Sequence, residues 1–180
     1  EYTVTKSELI KTAALAHEYR LPVYCHSNET DRDVDSCIAR NQALRPIEFL
    51  DSLGMFDFGG GIFHGVHLSE NEQDILKKRK VGIISCPASN AKLASGIAPL
   101  AHYLENGLQL GLGTDGPGSN NALDMFREMY LATALQKLQT NDPTALDASR
   151  VLQMATCGSA RIMGLAACDE LRKANWPILR

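Results

Sequence analysis

Three apolar runs with the character of buried strands each lead into a residue that can bind a metal or carry a proton. The runs, with those residues, are 22–25 with His26, 61–63 with His64 and 108–112 with Asp115. Continuous apolar runs are typical of parallel strands buried on both faces, and the carboxyl ends of such strands meet at one side of the sheet. We therefore expect a fold that brings two histidines and an aspartate together at one edge.

Helix signals alternate with the strand-like runs along the chain. Strands are predicted near 22–26, 61–65, 81–86 and 108–114. Capping patterns open two intervening helices, at Thr5 with Glu8 and at Ser69 with Glu72. This alternation implies a parallel sheet with right-handed crossovers.

The segments between these elements are predicted from their turn residues and from their apolar spacing. Residues 27–43 and 87–97 are expected to be loops, and helices are expected near 46–53, 99–106, 123–138 and 148–163. A doubly wound sheet also fits four strands. We favour a (β/α)8-type barrel because reactive residues end several strands, and because no glycine-rich dinucleotide or phosphate loop is present. A complete barrel needs at least about 200 residues, so the sequence predicts half of one.

Composition and charge narrow the classes of partner. The chain has 180 residues, a net charge of −3 and no basic stripe, so we expect no nucleic-acid partner. No apolar run has the length of a membrane span, and we expect no membrane partner. The five cysteines show no CxxC spacing. Cys25 and Cys86 lie in apolar runs, and we interpret the cysteines as reduced thiols of a cytoplasmic protein.

Five sequence segments resemble the amidohydrolase superfamily in its aminohydrolase branch, and within it the deaminases of 5-methylthioadenosine and S-adenosylhomocysteine. The segments are 26–30 (HSNET), 63–68 (FHGVHL), 87–99 (PASNAKLASGIAP), 113–121 (GTDGPGSNN) and 154–161 (MATCGSAR). Each is weak alone, but together they follow the family's order and spacing. The resemblance implies that residues 1–165 form strands five to eight of the barrel with their helices. Residues 166–180 form a tail that diverges from the family.

The same resemblance assigns the reacting groups. It implies that His26 binds one divalent metal ion and that Asp115 is both a second ligand and a proton acceptor. Glu29 is implied to protonate the purine ring, and His64 to orient the attacking hydroxide. The resemblance thus implies metal-dependent hydrolytic deamination of an adenine nucleoside. Zinc is the expected metal, with iron as the alternative.

The resemblance also implies which side chains line the substrate pocket: Ser89, Asn90, Ser119 and His67. For His67 a purely structural role stays open, because it follows the strand end by three residues. Two other activities of the superfamily are kept as alternatives. One is hydrolysis of triazines or chloro-heterocycles, and the other is deamination of guanine or pterins.

One motif of the superfamily is missing from this sequence. The family takes two metal ligands from a His-x-His pair on its first strand, and this chain contains no His-x-His. We therefore expect the chain alone to bind metal weakly or not at all and to be inactive. We expect it to pair with the missing N-terminal half-barrel or with a second copy of itself. A non-catalytic half-barrel that forms an oligomer or a binding module is the remaining alternative.

Overall fold

A parallel sheet of four strands organises the described part of the chain. The computed structural model describes residues 2–165. The sheet follows chain order, β1-β2-β3-β4, and every neighbouring pair is parallel. Its strands are β1 (Val23–Ser27), β2 (Gly60–His64), β3 (Val81–Ser85) and β4 (Leu110–Leu112). Consecutive parallel strands joined by helices are the arrangement of a (β/α)8 barrel, so the predicted partial barrel is confirmed.

Helices precede, connect and follow the strands. They are α1 (Lys6–Tyr19), α2 (Asp31–Arg40), α3 (Pro46–Ser52), α4 (Glu70–Arg79), α5 (Pro87–Lys92), α6 (Leu100–Glu105), α7 (Pro117–Asn120), α8 (Met125–Thr140), α9 (Ala148–Gln153) and α10 (Ser159–Ile162). Both predicted capping boxes are confirmed. In α1, Thr5 Oγ1 accepts from the Glu8 N–H at 3.3 Å and the Thr5 N–H donates to Glu8 Oε2 at 2.8 Å. Ser69 and Glu72 form the same pair at the start of α4. Among the described residues, no helix is both long and apolar enough to cross a bilayer.

Two segments predicted as loops contain helices. Residues 27–43 include α2, which the prediction missed because only Val34 and Cys37 of its ten residues are buried. Its start is stabilised locally, since the Thr30 side chain accepts from the Asp33 N–H at 3.1 Å. Residues 87–97 include the short helix α5. It was not predicted because its sequence, PASNAK, is rich in residues that are common in turns.

The last predicted helix, 148–163, is interrupted. A π-helical turn, Met154–Gly158, separates α9 from α10. A Cβ atom at Gly158 would lie 2.4 Å from the carbonyl oxygen of Leu110, so only glycine lets this turn approach β4 so closely. The predicted strand at 108–114 is likewise shorter than expected, because β4 covers only Leu110–Leu112.

One face of the sheet packs against the connecting helices and forms the core. Fully buried side chains of this core come from strands, helices and loops: Ile62, Ile83, Leu50, Phe56, Leu76 and Tyr103. Of the two cysteines assigned to apolar runs, Cys86 is buried and Cys25 is half-buried. Cys168 lies outside the described residues.

The opposite face of the sheet makes room for Ile162 of α10. Gly61, Gly82 and Gly111 are each the second residue of their strand, and a Cβ atom at any of them would lie within 3.2 Å of Ile162. The tightest approach is at Gly82, where a Cβ atom would come to 2.2 Å from Ile162 Cγ1. Small residues on these strands thus let α10 seat against the sheet at the end away from His26 and His64.

Candidate active site

The predicted reactive residues gather at the carboxyl ends of the strands. His26 lies in β1, His64 is the last residue of β2 and Asp115 follows β4. The ring centroids of His26 and His64 are 5.3 Å apart. Glu29, which follows β1, places Oε2 3.6 Å from Nε2 of His64. The structure therefore brings two imidazoles and carboxylates together at the carboxyl ends of the strands, as the sequence predicts.

Strained backbone accompanies these residues. The φ angles of Asn28, His64 and Asp115 are 53°, 71° and 59°, in the left-handed region that non-glycine residues seldom adopt. Such conformations cost on the order of 1–3 kcal/mol each and concentrate at functional sites. Eight other non-glycine residues in the described part of the chain adopt the same region, so this conformation does not by itself distinguish the cluster.

A buried amide fixes the orientation of His64. Its ring is 1% exposed, and Nδ1 lies 2.8 Å from Oδ1 of Asn90 in α5. An amide oxygen only accepts hydrogen bonds, so Nδ1 carries the proton in this contact. The remaining ring nitrogen, Nε2, then faces Glu29 and the open side of the cluster.

Glu29 is held by hydrogen bonds from two other residues. Its Oε2 accepts from the hydroxyl of Tyr2 at 2.5 Å, and its Oε1 accepts from Oγ of Ser95 at 3.3 Å. Only 8% of the residue is exposed. The carboxyl group therefore has a defined position beside His64 rather than the freedom of a surface acid.

Hydrogen bonds hold Asp115 as a carboxylate. Burial acts to raise its pKa, but hydrogen bonds from Ser89 and the Gly116 N–H, the nearby His64 and a hydrogen bond from Ser119 together lower the pKa below its usual value. Ser89 Oγ donates to Oδ2 at 2.7 Å, and the Gly116 N–H donates to Oδ1 at 2.7 Å. Ser89 and Ser119, predicted to line the substrate pocket, thus both contact Asp115.

The environment of His26 favours a neutral ring. Burial and the charge of His64 lower its pKa, against the opposing effect of Asp115 and Glu29. Neutral imidazole is the form that binds metals. His26 and Asp115 therefore offer one nitrogen and one oxygen donor of the kinds that zinc accepts.

The described residues do not form a metal site by themselves. Within 2–165, no group of three or more histidine, cysteine, aspartate or glutamate side chains could hold a metal ion. A complete zinc site has at least three protein ligands. The donor types present fit the metal implied by the sequence, but such a site needs further donors.

His67 differs from the other predicted pocket residues. Its Nδ1 lies 3.0 Å from Asp31 Oδ1, and its Nε2 lies 2.8 Å from the carbonyl oxygen of Ser95. Both ring nitrogens thus contact neighbouring protein groups. Its predicted contact with a substrate stays a prediction.

Two residues that contact the site were not predicted from the sequence. Tyr2 and Ser95 contact Glu29 from positions 27 and 66 residues away in sequence. Ser95 stands in the segment 87–99 that carries the family resemblance, so its position was a usable signal. Tyr2 offered no such signal, because it lies before the first predicted helix in no recognised motif.

The chain belongs to the Amidohydrolase family, whose pattern matches residues 1–167. It is 45% identical over 152 residues to the 5-methylthioadenosine/S-adenosylhomocysteine deaminase of Natronomonas pharaonis, covering 84% of this chain and 35% of that protein. It is 43% identical over 166 residues to the 5'-deoxyadenosine deaminase of Methanothermobacter thermautotrophicus, covering 92% and 39%. The chain thus spans little more than a third of the length of these relatives.

Solved structures show the same relationship in three dimensions. An adenosine deaminase from Xanthomonas campestris with bound zinc superposes with a TM-score of 0.83 at 37% identity, over 91% of this chain and 37% of that one. The atrazine chlorohydrolase TrzN from Arthrobacter aurescens, complexed with zinc, gives a TM-score of 0.84 at 26% identity, over 95% and 38%. Both resemblances cover nearly all of this chain and well under half of the solved one.

Proposed function

We propose that this chain supplies half of an active site for the metal-dependent hydrolytic deamination of an adenine nucleoside of the 5-methylthioadenosine or S-adenosylhomocysteine type. The observation that carries the proposal is the contact of the buried His64 with Glu29 beside His26 and Asp115. In this reaction the oxygen of water bonds to the amino-bearing carbon of the purine, the carbon–nitrogen bond breaks and ammonia leaves.

Each residue of the cluster has a role in this proposal. His26 and Asp115 would hold a zinc ion, which when bound lowers the pKa of water toward neutrality. Asp115 accepts a proton from the attacking water and passes it to the departing ammonia. Glu29 gives a proton to the ring nitrogen, and Nε2 of His64 orients the attacking oxygen. Ser89 and Ser119 hold the carboxylate of Asp115 while this happens.

An adenine nucleoside is preferred over the other substrates of the superfamily. The curated relatives at 45% and 43% identity carry names of adenine-nucleoside deaminases. The structures of triazine hydrolase and of Escherichia coli guanine deaminase are each 26% identical. Deamination of guanine or pterin and hydrolysis of a triazine are therefore the second candidates, and a substrate panel separates them from the first.

We further propose that the chain functions in association, either with a half-barrel that carries His-x-His or with a second copy of itself. Two observations support this. Within the described residues 2–165, the outer strands β1 and β4 each have one neighbour in the sheet, and such edges recruit partners. A largely apolar hollow of about 310 Å³, lined by Tyr24, Phe63, Ile84 and Met163 among others, lies on the face of the sheet that carries α10. We place the protein in the cytoplasm because nucleosides and reduced thiols are found there.

The test is ammonia release from 5-methylthioadenosine by the chain alone and after mixing with an amidohydrolase half-barrel that carries His-x-His. We expect little activity from the chain alone, because metal affinity depends on ligand number and preformed geometry. We expect zinc retention and deamination after mixing, with guanine and atrazine as poorer substrates. Light scattering reports the association. A stable monomer that never assembles, or an assembly that releases no ammonia from any adenine nucleoside, would contradict the proposal.

A further inference from the structure

Glu128 is a buried carboxylate that the proposed reaction does not use. It lies in the first turn of α8 and is 0% exposed. None of the ion pairs formed within residues 2–165 involves it. Burying a charge without a cationic partner carries a desolvation cost of several kcal/mol. A carboxylate that is buried without an ion-pair partner needs hydrogen-bond donors at its oxygens.

Each carboxylate oxygen of Glu128 accepts one hydrogen bond. Oε2 accepts from the backbone N–H of Ala88 at 2.9 Å, and Oε1 accepts from Nδ2 of Asn120 at 2.7 Å. The same Nδ2 donates to the carbonyl oxygen of Thr114 at 2.5 Å. Asn120 Oδ1 is the one buried side-chain oxygen or nitrogen in the described part of the chain that lacks a hydrogen-bond partner. The amide is therefore oriented by its donor side alone.

The two donors belong to the two segments that hold the reacting groups. Ala88 stands directly before Ser89 and Asn90, which contact Asp115 and His64. Thr114, tied to Glu128 through Asn120, stands directly before Asp115. Glu128 thus connects the residue before Ser89 to the residue before Asp115. It reaches Ala88 directly and Thr114 by way of Asn120.

From this geometry we propose that Glu128 is a positioning residue for the deamination, an inference that rests on the proposed function. It keeps α5 and the segment 113–121 at a fixed separation, so that Asp115 and His64 face the substrate together. A glutamine at this position keeps one oxygen only. Its NH₂ group would oppose either the Ala88 N–H or the Asn120 NH₂, a contact between two donors. The bridge would then open on one side.

Gln136 provides a matched control on the same helix. It is 1% exposed, and its amide binds the N–H of Ala101 and the carbonyl oxygen of Ala98, neither of which belongs to the candidate active site. Gln136→Met removes a buried hydrogen-bond network of α8 while keeping a side chain of similar volume. A loss of activity that follows from destabilised α8 alone would appear in both variants.

The experiment compares Glu128→Gln with Gln136→Met in the assembly that deaminates 5-methylthioadenosine, at equal folded fraction. We expect Glu128→Gln to lower kcat about 10–100-fold, the range found for partners of site residues, with little change in KM. We expect Gln136→Met to leave kcat near that of the wild type. If Glu128→Gln does not fold, Asn120→Ala opens the same bridge from its other side and replaces it in the comparison.

Hydrogen exchange gives a readout that does not depend on activity. Glu128→Gln should speed exchange in residues 87–93 and 113–121, and Gln136→Met should do so in residues 97–103. Equal losses of kcat in the two variants, or unchanged exchange in 87–93 and 113–121 for Glu128→Gln, would overturn the role of Glu128. A wild-type assembly without deamination would contradict the proposed function, and the exchange comparison would still decide whether Glu128 forms the bridge.

Discussion

Nδ1 of His64 and Oδ1 of Asn90 form a hydrogen bond of 2.8 Å between two buried side chains, joining the end of β2 to α5. This contact decides which nitrogen of His64 faces the open side of the cluster. It also ties the histidine to the helix whose Ser89 holds Asp115. The two sides of the candidate active site are therefore oriented through α5.

Replacing Asn90 with leucine should remove the preference of His64 for the tautomer that is protonated at Nδ1. The change keeps the approximate shape and removes the acceptor, which leaves a buried donor at a cost of about 1–3 kcal/mol. We expect ¹⁵N-resolved NMR to show a shift away from the form protonated at Nδ1, and kcat to fall about 10–100-fold. Asn71→Leu, on the exposed side of α4, is the control. An unchanged tautomer in Asn90→Leu would contradict the assignment.

Glu29→Gln should remove the acid of the proposed reaction. Glutamine keeps the size and one acceptor oxygen but has no proton to give, so kcat should fall by about 10²–10⁴-fold, the contribution of general acid catalysis. The measurement is the ultraviolet change from adenine to hypoxanthine in the active assembly. Glu70→Gln, the same substitution at an exposed position of α4, should have no effect. Full turnover by Glu29→Gln would assign the proton to another group.

Gly82→Ala should destabilise the fold through Ile162. The added methyl group would sit 2.2 Å from Ile162 Cγ1, and overpacking of this kind typically costs about 1–3 kcal/mol. The free energy of unfolding, from denaturant titration, is the measurement. A second substitution, Ile162→Ala, should recover part of the loss in the double variant.

The control for this pair is Gly118→Ala. A Cβ atom at Gly118 would meet no atom within 4 Å, so the substitution should change the unfolding free energy little. Equal effects at Gly82 and Gly118 would show that loss of glycine, rather than contact with Ile162, determines the stability.

The Cys86 thiol should resist alkylation in the folded protein. Burial, followed by the negative charges of Asp115 and Glu128, raises its pKa to about 12. At about pH 8 only about one thiol in 10⁴ is then in the reactive thiolate form. Peptide mapping after iodoacetamide treatment should find Cys86 unmodified until denaturant is added, while the half-buried Cys157 serves as the reference. Rapid modification of native Cys86 would contradict its burial.

The sequence predicted the positions of the proposed reacting groups because these residues end apolar runs. His26, His64 and Asp115 could be placed at one edge of the sheet from the parallel arrangement alone, and the structure brings them there. The helix α2 could not be predicted in the same way. Its stability comes from its cap at Thr30 and from a small buried face, neither of which produces a long apolar period.

The contacts that orient these groups could not be predicted from local patterns. Asn90 lies 26 residues from His64 in sequence, and Ala88 lies 40 residues from Glu128. Such pairs depend on how α5 and α8 pack, which is a property of the assembled fold. Glu128 in particular is an acidic residue, a type that sequence alone predicts to be exposed on a helix, and only the structure shows that it is buried.

The most direct test of the central claim is ammonia release from 5-methylthioadenosine by the active assembly with Asp115→Asn. This substitution keeps the shape of the side chain and removes both the charge of the proposed metal donor and the proposed proton acceptor. The proposed function predicts that turnover and zinc retention are both lost, while Asp74→Asn, at an exposed aspartate of α4, behaves as the wild type. Undiminished ammonia release by Asp115→Asn would contradict the claim that this chain contributes the aspartate on which the deamination depends.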